Sequence, residues 1–213
     1  MLRDTEKLSD ASAVFDPLGN SDLTTDLEII RDVKTLAKRL PDFDGFVVCI
    51  GNQNGFARVK IGEFLAEHGL LPVSVFSPWA ILDPTSQIGR GSVVMPGVIV
   101  QKFCSVGGYA ILNTGACIDH ECTLGRGVHV MGQAAVAGRV TVGAFATLGT
   151  NSTILPDVAV GAGAYVGAGS VVLRDIGEDA VVVGNPARTL RHASPQFDGA
   201  LLTALATEVA RLA

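Results

Sequence analysis

Ile118-Asp119-His120-Glu121-Cys122-Thr123-Leu124-Gly125-Arg126-Gly127-Val128-His129-Val130-Met131-Gly132-Gln133-Ala134-Ala135-Val136 carries an aliphatic residue at every sixth position. The frame runs on in both directions without a break. It reaches back through Leu112, Val106, Val100, Val94, Ile88 and Leu82 to Phe76, and forward through Val142, Leu148, Ile154, Val160 and Val166 to Val172. A small residue usually follows four places after each lead, as at Cys104, Ala110, Ala116, Cys122, Ala134 and Ala146. Glycine often follows the lead directly, as in Leu124-Gly125 and Val142-Gly143. Neither a helical period nor a two-residue alternation produces a repeat of six. One large and one small inward residue per hexad is the pattern of a parallel β-helix, in which the large side chain fills the coil and the small one sits at a corner.

The expected fold is therefore mainly β. A small α/β unit occupies residues 1–76, a solenoid of hexads 77–190, and a helical cap 191–213. In the first unit, Ala11–Phe15 reads as a short strand ending in the turn Asp16-Pro17-Leu18-Gly19. Leu27, Ile30, Val33, Leu36, Ala37 and Leu40 keep the spacing of an amphipathic helix that begins near Asp22–Thr25. Phe46–Ile50 reads as a buried parallel strand followed by the loop Gly51-Asn52-Gln53-Asn54-Gly55. A second helix spans Phe56–His68, with Val59, Ile61, Phe64 and Leu65 as its core stripe, and Leu71–Phe76 is a third strand. That order is β-α-β-α-β, with ligands expected at the carboxyl ends of the strands. After the hexads, which Val171–Asp175 ends, Ala180–Val183 is a last strand. Gly184–Arg188 leads the chain off the prism, and the helix over 197–213 covers its open end.

Composition narrows the function. The net charge is −5 and no basic run is present, so nucleic acid is not an expected partner. No apolar stretch is long enough to span a bilayer and no charged-then-apolar leader opens the chain, which predicts a cytoplasmic protein without a membrane partner. The cysteines Cys49, Cys104, Cys117 and Cys122 lack metal-ligand spacing, and two of them fill inward slots. Outward positions carry Met95, Ile99, Phe103, Tyr109, Ile111, Phe145 and Leu155, an apolar area that predicts an oligomer, most naturally a trimer of prisms.

His120, between Asp119 and Glu121, stands out where charges are scarce. A carboxylate bonded to one ring nitrogen raises the basicity of the other, which is the arrangement of a general base. Three hexads make one coil, so residues eighteen apart stack. His120 then meets Gly138, whose N–H has no side chain beside it to block a ligand oxygen. A base beside an N–H donor suits acyl transfer. A zinc hydratase on the same scaffold needs three converging histidines, and only His120 and His129 lie in the solenoid. A non-catalytic solenoid gives no reason for a His-Glu pair one coil from a glycine.

The hexads, Asn113-Thr114, His120-Glu121-Cys122, His129-Val130, Ala137-Gly138 and Val183-Gly184-Asn185-Pro186-Ala187 together resemble the bacterial sugar acyltransferases of the left-handed β-helix, or hexapeptide-repeat, superfamily. The closest group is the sialic acid O-acetyltransferase and UDP-N-acetylbacillosamine or GDP-perosamine N-acetyltransferase type. The resemblance implies a homotrimer with active sites between prisms, acetyl-CoA as cosubstrate and no metal. It implies His120 as general base, Glu121 as its orienting partner, and His129, Gly138, Thr150 and Ala168 as cofactor contacts. Asn113, Asp16 and Gly51 are the implied substrate contacts. The implied acceptor is an amino or hydroxyl group of a sugar, in particular a nucleotide-linked 4-amino-dideoxy sugar. O-acetylation of sialic acid or of a polysaccharide sugar is the alternative. Relatives begin with a strand and a glycine-rich loop of the Gly-x-Gly-His-Gly kind that cradles phosphates. Met1–Asp10 has no glycine and carries Asp4, Glu6 and Asp10. The α/β unit thus reads as truncated by its first β-α step, and weak binding of nucleotide sugars is expected beside normal binding of CoA.

Overall fold

A computed structural model describes residues 13–17 and 26–212. From Val75 onward the chain winds as a left-handed parallel β-helix of two-residue strands on three faces. Face one holds Val75–Phe76, Val93–Val94, Ile111–Leu112, His129–Val130, Thr147–Leu148 and Tyr165–Val166. Face two holds Ile81–Leu82, Ile99–Val100, Cys117–Ile118, Ala135–Val136, Thr153–Ile154 and Val171–Val172. Face three runs from Gln87–Ile88 to Ala159–Val160. The register is the one the hexads dictate, with Ile111, His129, Thr147 and Tyr165 partnered in succession eighteen residues apart. The leads from Leu82 onward form one continuous core, in which Val94, Leu112, Ile118, Val130, Leu148, Ile154 and Val166 are fully buried, whereas Phe76 at the first coil is exposed. Corner glycines allow the coils to close on each other. A Cβ on Gly125 would lie 2.5 Å from the Ala144 nitrogen of the next coil.

The solenoid continues beyond Asp175. Ile176 bridges to Val160, and Ala180–Gly184 joins face one beside Tyr165–Val166 with Val182 in the core. Gly184–Arg188 does not lead the chain away. It is the turn of a hairpin, with a cis Asn185–Pro186 bond, and Ala187–His192 returns antiparallel along the same face.

The N-terminal unit differs more from its expected form. Strand β1 (Ala13–Phe15) pairs in parallel with β2 (Glu28–Ile30), where a helix was expected. Helix α1 begins only at Val33 and ends at Arg39, because Asp32 caps it, its carboxylate accepting from the Thr35 N–H at 2.8 Å. The expected helix start at Asp22–Thr25 lies outside the described residues, as does the expected turn at Leu18-Gly19. Strand β3 is only Gly45–Phe46, paired in parallel with β4 (Leu71–Pro72). Val47–Ile50 is not a buried strand: it has no ladder partner among the described residues, and Ile50 is exposed. Helix α2 (Gly55–Glu67) follows, and helix α3 (Ala200–Leu212) ends the described chain.

Helix α3 does not cover the open end of the prism. Leu205 and Val209 pack with Ile30, Leu36, Ala37, Leu40 and Leu70, in the core of the α/β unit. That unit rests on the prism through α2. Phe56 meets Phe145 edge-on at 5.2 Å, and Gly62 lies against the Tyr109 ring. Tyr109, Phe145 and the buried Ile111 are therefore not all bare outward residues; Phe103 and Leu155 are. Among the described residues no helix is long and apolar enough to cross a membrane.

Candidate active site

The corner between faces two and three carries His120. The Asp119 carboxylate accepts from the His120 N–H at 2.8 Å and fixes the start of the corner. Glu121 takes a left-handed backbone, φ 61°, and its N–H donates to the Lys102 carbonyl of the coil before. This turns the Glu121 side chain back toward its neighbour, and His120 Nδ1 lies 2.9 Å from Oε2. An ionised carboxylate only accepts, so Nδ1 holds the proton and Nε2 keeps its lone pair. Both side chains are about half exposed, at 43% and 53%, which leaves Nε2 open to a reactant.

Gly138 stacks on the ring as the spacing requires. A Cβ built there would come within 2.6 Å of Cε1 and 2.7 Å of Nε2 of His120. Among the described residues no carbonyl accepts from the Gly138 N–H, whereas the neighbouring Arg139 N–H donates to the His120 carbonyl at 2.9 Å. Arg139 is engaged by Asp157 with two bonds of 2.6 and 2.8 Å rather than by Glu121. This pairing holds the Asp157 carboxyl below its usual range and leaves Glu121 to His120. Burial pushes the Cys122 thiol up to about 11, so it stays protonated and is no nucleophile beside the base.

The other expected residues lie elsewhere. Thr150 and Ala168 are exposed at the corner between faces one and two, and the Gly169 N–H donates to the Thr150 carbonyl at 2.9 Å. Asn113 stands at the same corner, its side-chain oxygen accepting from the Thr114 N–H. Asp16 is paired with Arg31 at 2.6 Å. His129 is on face one and only 3% exposed, beneath the Gly51–Asn52 loop rather than on an open groove. Its Nδ1 lies 3.0 Å from the Asn52 carbonyl, so that nitrogen carries the proton, while Nε2 is buried without a partner. Burial pushes this imidazole below its ordinary value, against the opposing pull of the Asn52 carbonyl. In this chain His129 thus packs against the Gly51–Asn52 loop, away from His120. One chain thus brings His120, Glu121 and Gly138 together, and His129 with Gly51. It leaves Asn113, Thr150 and Ala168 on the opposite edge of face two.

Two residues escaped the sequence reading. Arg58 is fully buried in α2. Its guanidinium donates to the carbonyls of Tyr109, Ile50, Gly127 and Val128 at 2.6, 2.6, 2.8 and 3.3 Å, and burial lowers it to about 10. It fixes the loop carrying Asn52 to the coil carrying His129. The available signal was a cation set between Ala57 and Val59 of a helix core stripe. Thr147, next to His129 in the ladder, is 1% exposed with an unpartnered hydroxyl. No local pattern marks it.

No protein-family model and no curated protein matches the chain. Solved structures do. A histidine-to-asparagine variant of perosamine N-acetyltransferase from Caulobacter crescentus, with CoA and GDP-perosamine bound, is 33% identical over 78% of each chain, with a TM-score of 0.74. The acetyltransferase domain of PglB from Neisseria gonorrhoeae, with acetyl coenzyme A, is 32% identical over 78% of this chain and 80% of that one, with a TM-score of 0.72. WeeI from Acinetobacter baumannii is 25% identical over 86% and 90%, with a TM-score of 0.77. The chain belongs to the bacterial sugar N-acetyltransferases of the hexapeptide-repeat superfamily.

Proposed function

We propose that the protein transfers an acetyl group from acetyl-CoA to the amino group of a nucleotide-linked amino sugar. The observation that carries this is the oriented His120–Glu121 pair beside the free Gly138 N–H, in a chain of this family. The acceptor nitrogen attacks the thioester carbonyl while His120 Nε2 takes its proton. The carbonyl oxygen becomes an oxyanion facing the Gly138 N–H. The C–S bond then breaks, and the departing thiolate recovers the proton from His120. No enzyme acyl intermediate forms.

The working unit is a homotrimer with face two toward the axis. Trp79, Ile81 and Phe103, on or beside that face, are 59%, 66% and 64% exposed, apolar area that a partner would cover. Three-fold packing sets one edge of face two against the opposite edge of its neighbour. The His120 corner of one prism then meets Asn113, Thr150 and Ala168 of the next, with the cosubstrate between them. A reaction drawing on acetyl-CoA is placed in the cytoplasm. His129 is assigned to bracing the Gly51 loop.

GDP-perosamine and acetyl-CoA, with thiol release followed and the product checked by mass spectrometry, test the activity. Acetylation at nitrogen is expected; release without an acetylated sugar across GDP- and UDP-linked amino sugars overturns the reading. Light scattering should give a trimer, and a stable monomer at micromolar concentration removes the shared site.

A further inference from the structure

The left-handed backbone slots at the His120 corner form a column of alternating charge. Glu121, Arg139 and Asp157 follow one another at eighteen-residue spacing, with φ of 61°, 60° and 64°. Successive coils stack them. The Arg139 N–H donates to the His120 carbonyl at 2.9 Å, and the Asp157 N–H to the Gly138 carbonyl at 3.1 Å. Between residues 91 and 169 the left-handed slots of the other two corners hold glycine, asparagine, glutamine or an aromatic residue, all uncharged.

Stability does not account for this column. Left-handed backbone disfavours a residue that carries a Cβ. The Arg139–Asp157 pair has both side chains more than half exposed, and solvent screening leaves such a pair little to contribute. What the pair does fix is direction. Arg139 has a carboxylate one coil to either side, Glu121 before it and Asp157 after it. Its Nε donates to one Asp157 oxygen at 2.6 Å and its Nη2 to the other at 2.8 Å, a side-on fork that commits the guanidinium to the later coil. Glu121 Oε2 is left with His120 Nδ1 at 2.9 Å. The guanidinium still lies close enough to Glu121, and Asp157 to His120, for each to feel the other's charge.

We propose that Asp157 is a positioning residue for the transfer reaction: it holds Arg139 away from Glu121, so that Glu121 stays on His120 Nδ1 and Nε2 stays a base. Without the fork, Arg139 turns one coil back. A guanidinium displaces a neutral imidazole from a carboxylate, because both partners of the new bond are charged and two donors engage at once. His120 then loses the bond that fixes its tautomer. Asp157 also answers the charge that arises during the reaction. When His120 takes the acceptor's proton, an imidazolium forms near a guanidinium, and the Asp157 carboxylate offsets that second cation. The inference rests on the acetyl-transfer reading above. Asp157 acts only through its neighbours and is given no contact with the reacting atoms.

The test variant is Asp157→Asn, because asparagine tolerates the left-handed slot and keeps the N–H bond to Gly138. With acetyl-CoA and GDP-perosamine, kcat should fall about tenfold or more, the size expected when a base is slightly misplaced, with little change in KM or Tm. Adding Arg139→Met should restore most of the lost turnover, with Arg139→Met alone as the reference. Nitrogen-15 spectra of the neutral His120 ring, assigned by their loss in His120→Ala, supply a readout that needs no turnover. The wild-type ring should carry its proton on Nδ1. Asp157→Asn should move that proton toward Nε2, and the double variant should move it back. Near-normal turnover in Asp157→Asn overturns the proposal, as does an unmoved tautomer. A loss of turnover that Arg139→Met does not recover makes the pair structural and also overturns it. If the wild-type chain transfers no acetyl group, the acetyl-transfer reading fails, while the ring spectra still decide whether Asp157 governs His120.

Discussion

The prism and the α/β unit bury their cores in opposite ways. Each coil of the prism repeats the one before it, and every lead side chain meets its counterpart eighteen residues away. Stability there is spread over many equivalent contacts. Among the described residues the α/β unit has two separate strand pairs, and it borrows Leu205 from the far end of the chain. Its polar attachment to the prism centres on Arg58, one cation serving four carbonyls. Redundancy makes the prism tolerant and legible; the unit depends on a few particular residues.

The largest effect should come from removing that attachment. Arg58→Ala leaves buried carbonyls without donors and is expected to cost roughly 3 kcal/mol or more. Hydrogen exchange should show α2 losing protection while coils from Ile111 to Val172 keep theirs. Equal loss across both regions would erase the distinction between them.

The proposed catalytic corner comes next, because it belongs to the prism yet depends on single residues. His120→Ala should lower kcat by about a hundredfold or more, as loss of a general base does, with CoA affinity retained. Glu121→Gln keeps a hydrogen-bonding partner for the ring and should cost less. Near-normal turnover in the His120 variant would refute the mechanism. Gly138→Ala drives a methyl into the His120 ring at 2.6 Å and should reduce kcat by about tenfold or more with little change in Tm, since the coil's own bonds remain. A large fall in Tm instead would mean that this corner is structural.

The smallest effect is on pH dependence. Burial pushes the His129 imidazole below its ordinary value, so the folded chain binds its proton less readily than the unfolded one. Below the ordinary value, about 6.5, the unfolded state carries that extra proton and stability falls as pH drops. Denaturation midpoints should decline from about pH 6.5 downward. His129→Gln should flatten that decline. An unchanged slope would show that His129 does not link the two regions in this way.

The same contrast explains what could be read from the sequence. Ile118, Leu124 and Val130 announce their positions because the hexad is local and repeated, and the stacking of His120 on Gly138 follows from counting alone. The helix expected from Leu27 failed because Ile30 is buried by β1 and α3, contacts no local period records. Asp32, a capping residue, was the visible clue that α1 starts later. The place of α3 was illegible for a related reason: its apolar stripe would suit the end of the prism as well as the α/β core. His129 was found by motif, but its burial depends on a loop far away in the chain.

Glu121 occupies a left-handed backbone slot that costs a side-chain-bearing residue on the order of 1 kcal/mol and a glycine far less. Glycine is therefore the replacement the coil accepts most readily and the chemistry least. A lineage selected only to stay folded would shed this carboxylate freely. It would keep every coil and every structural likeness to its active kin. On the mechanism proposed above, position 121 is thus where a working copy and a silent one would first part, and where ancestry and activity must be judged separately.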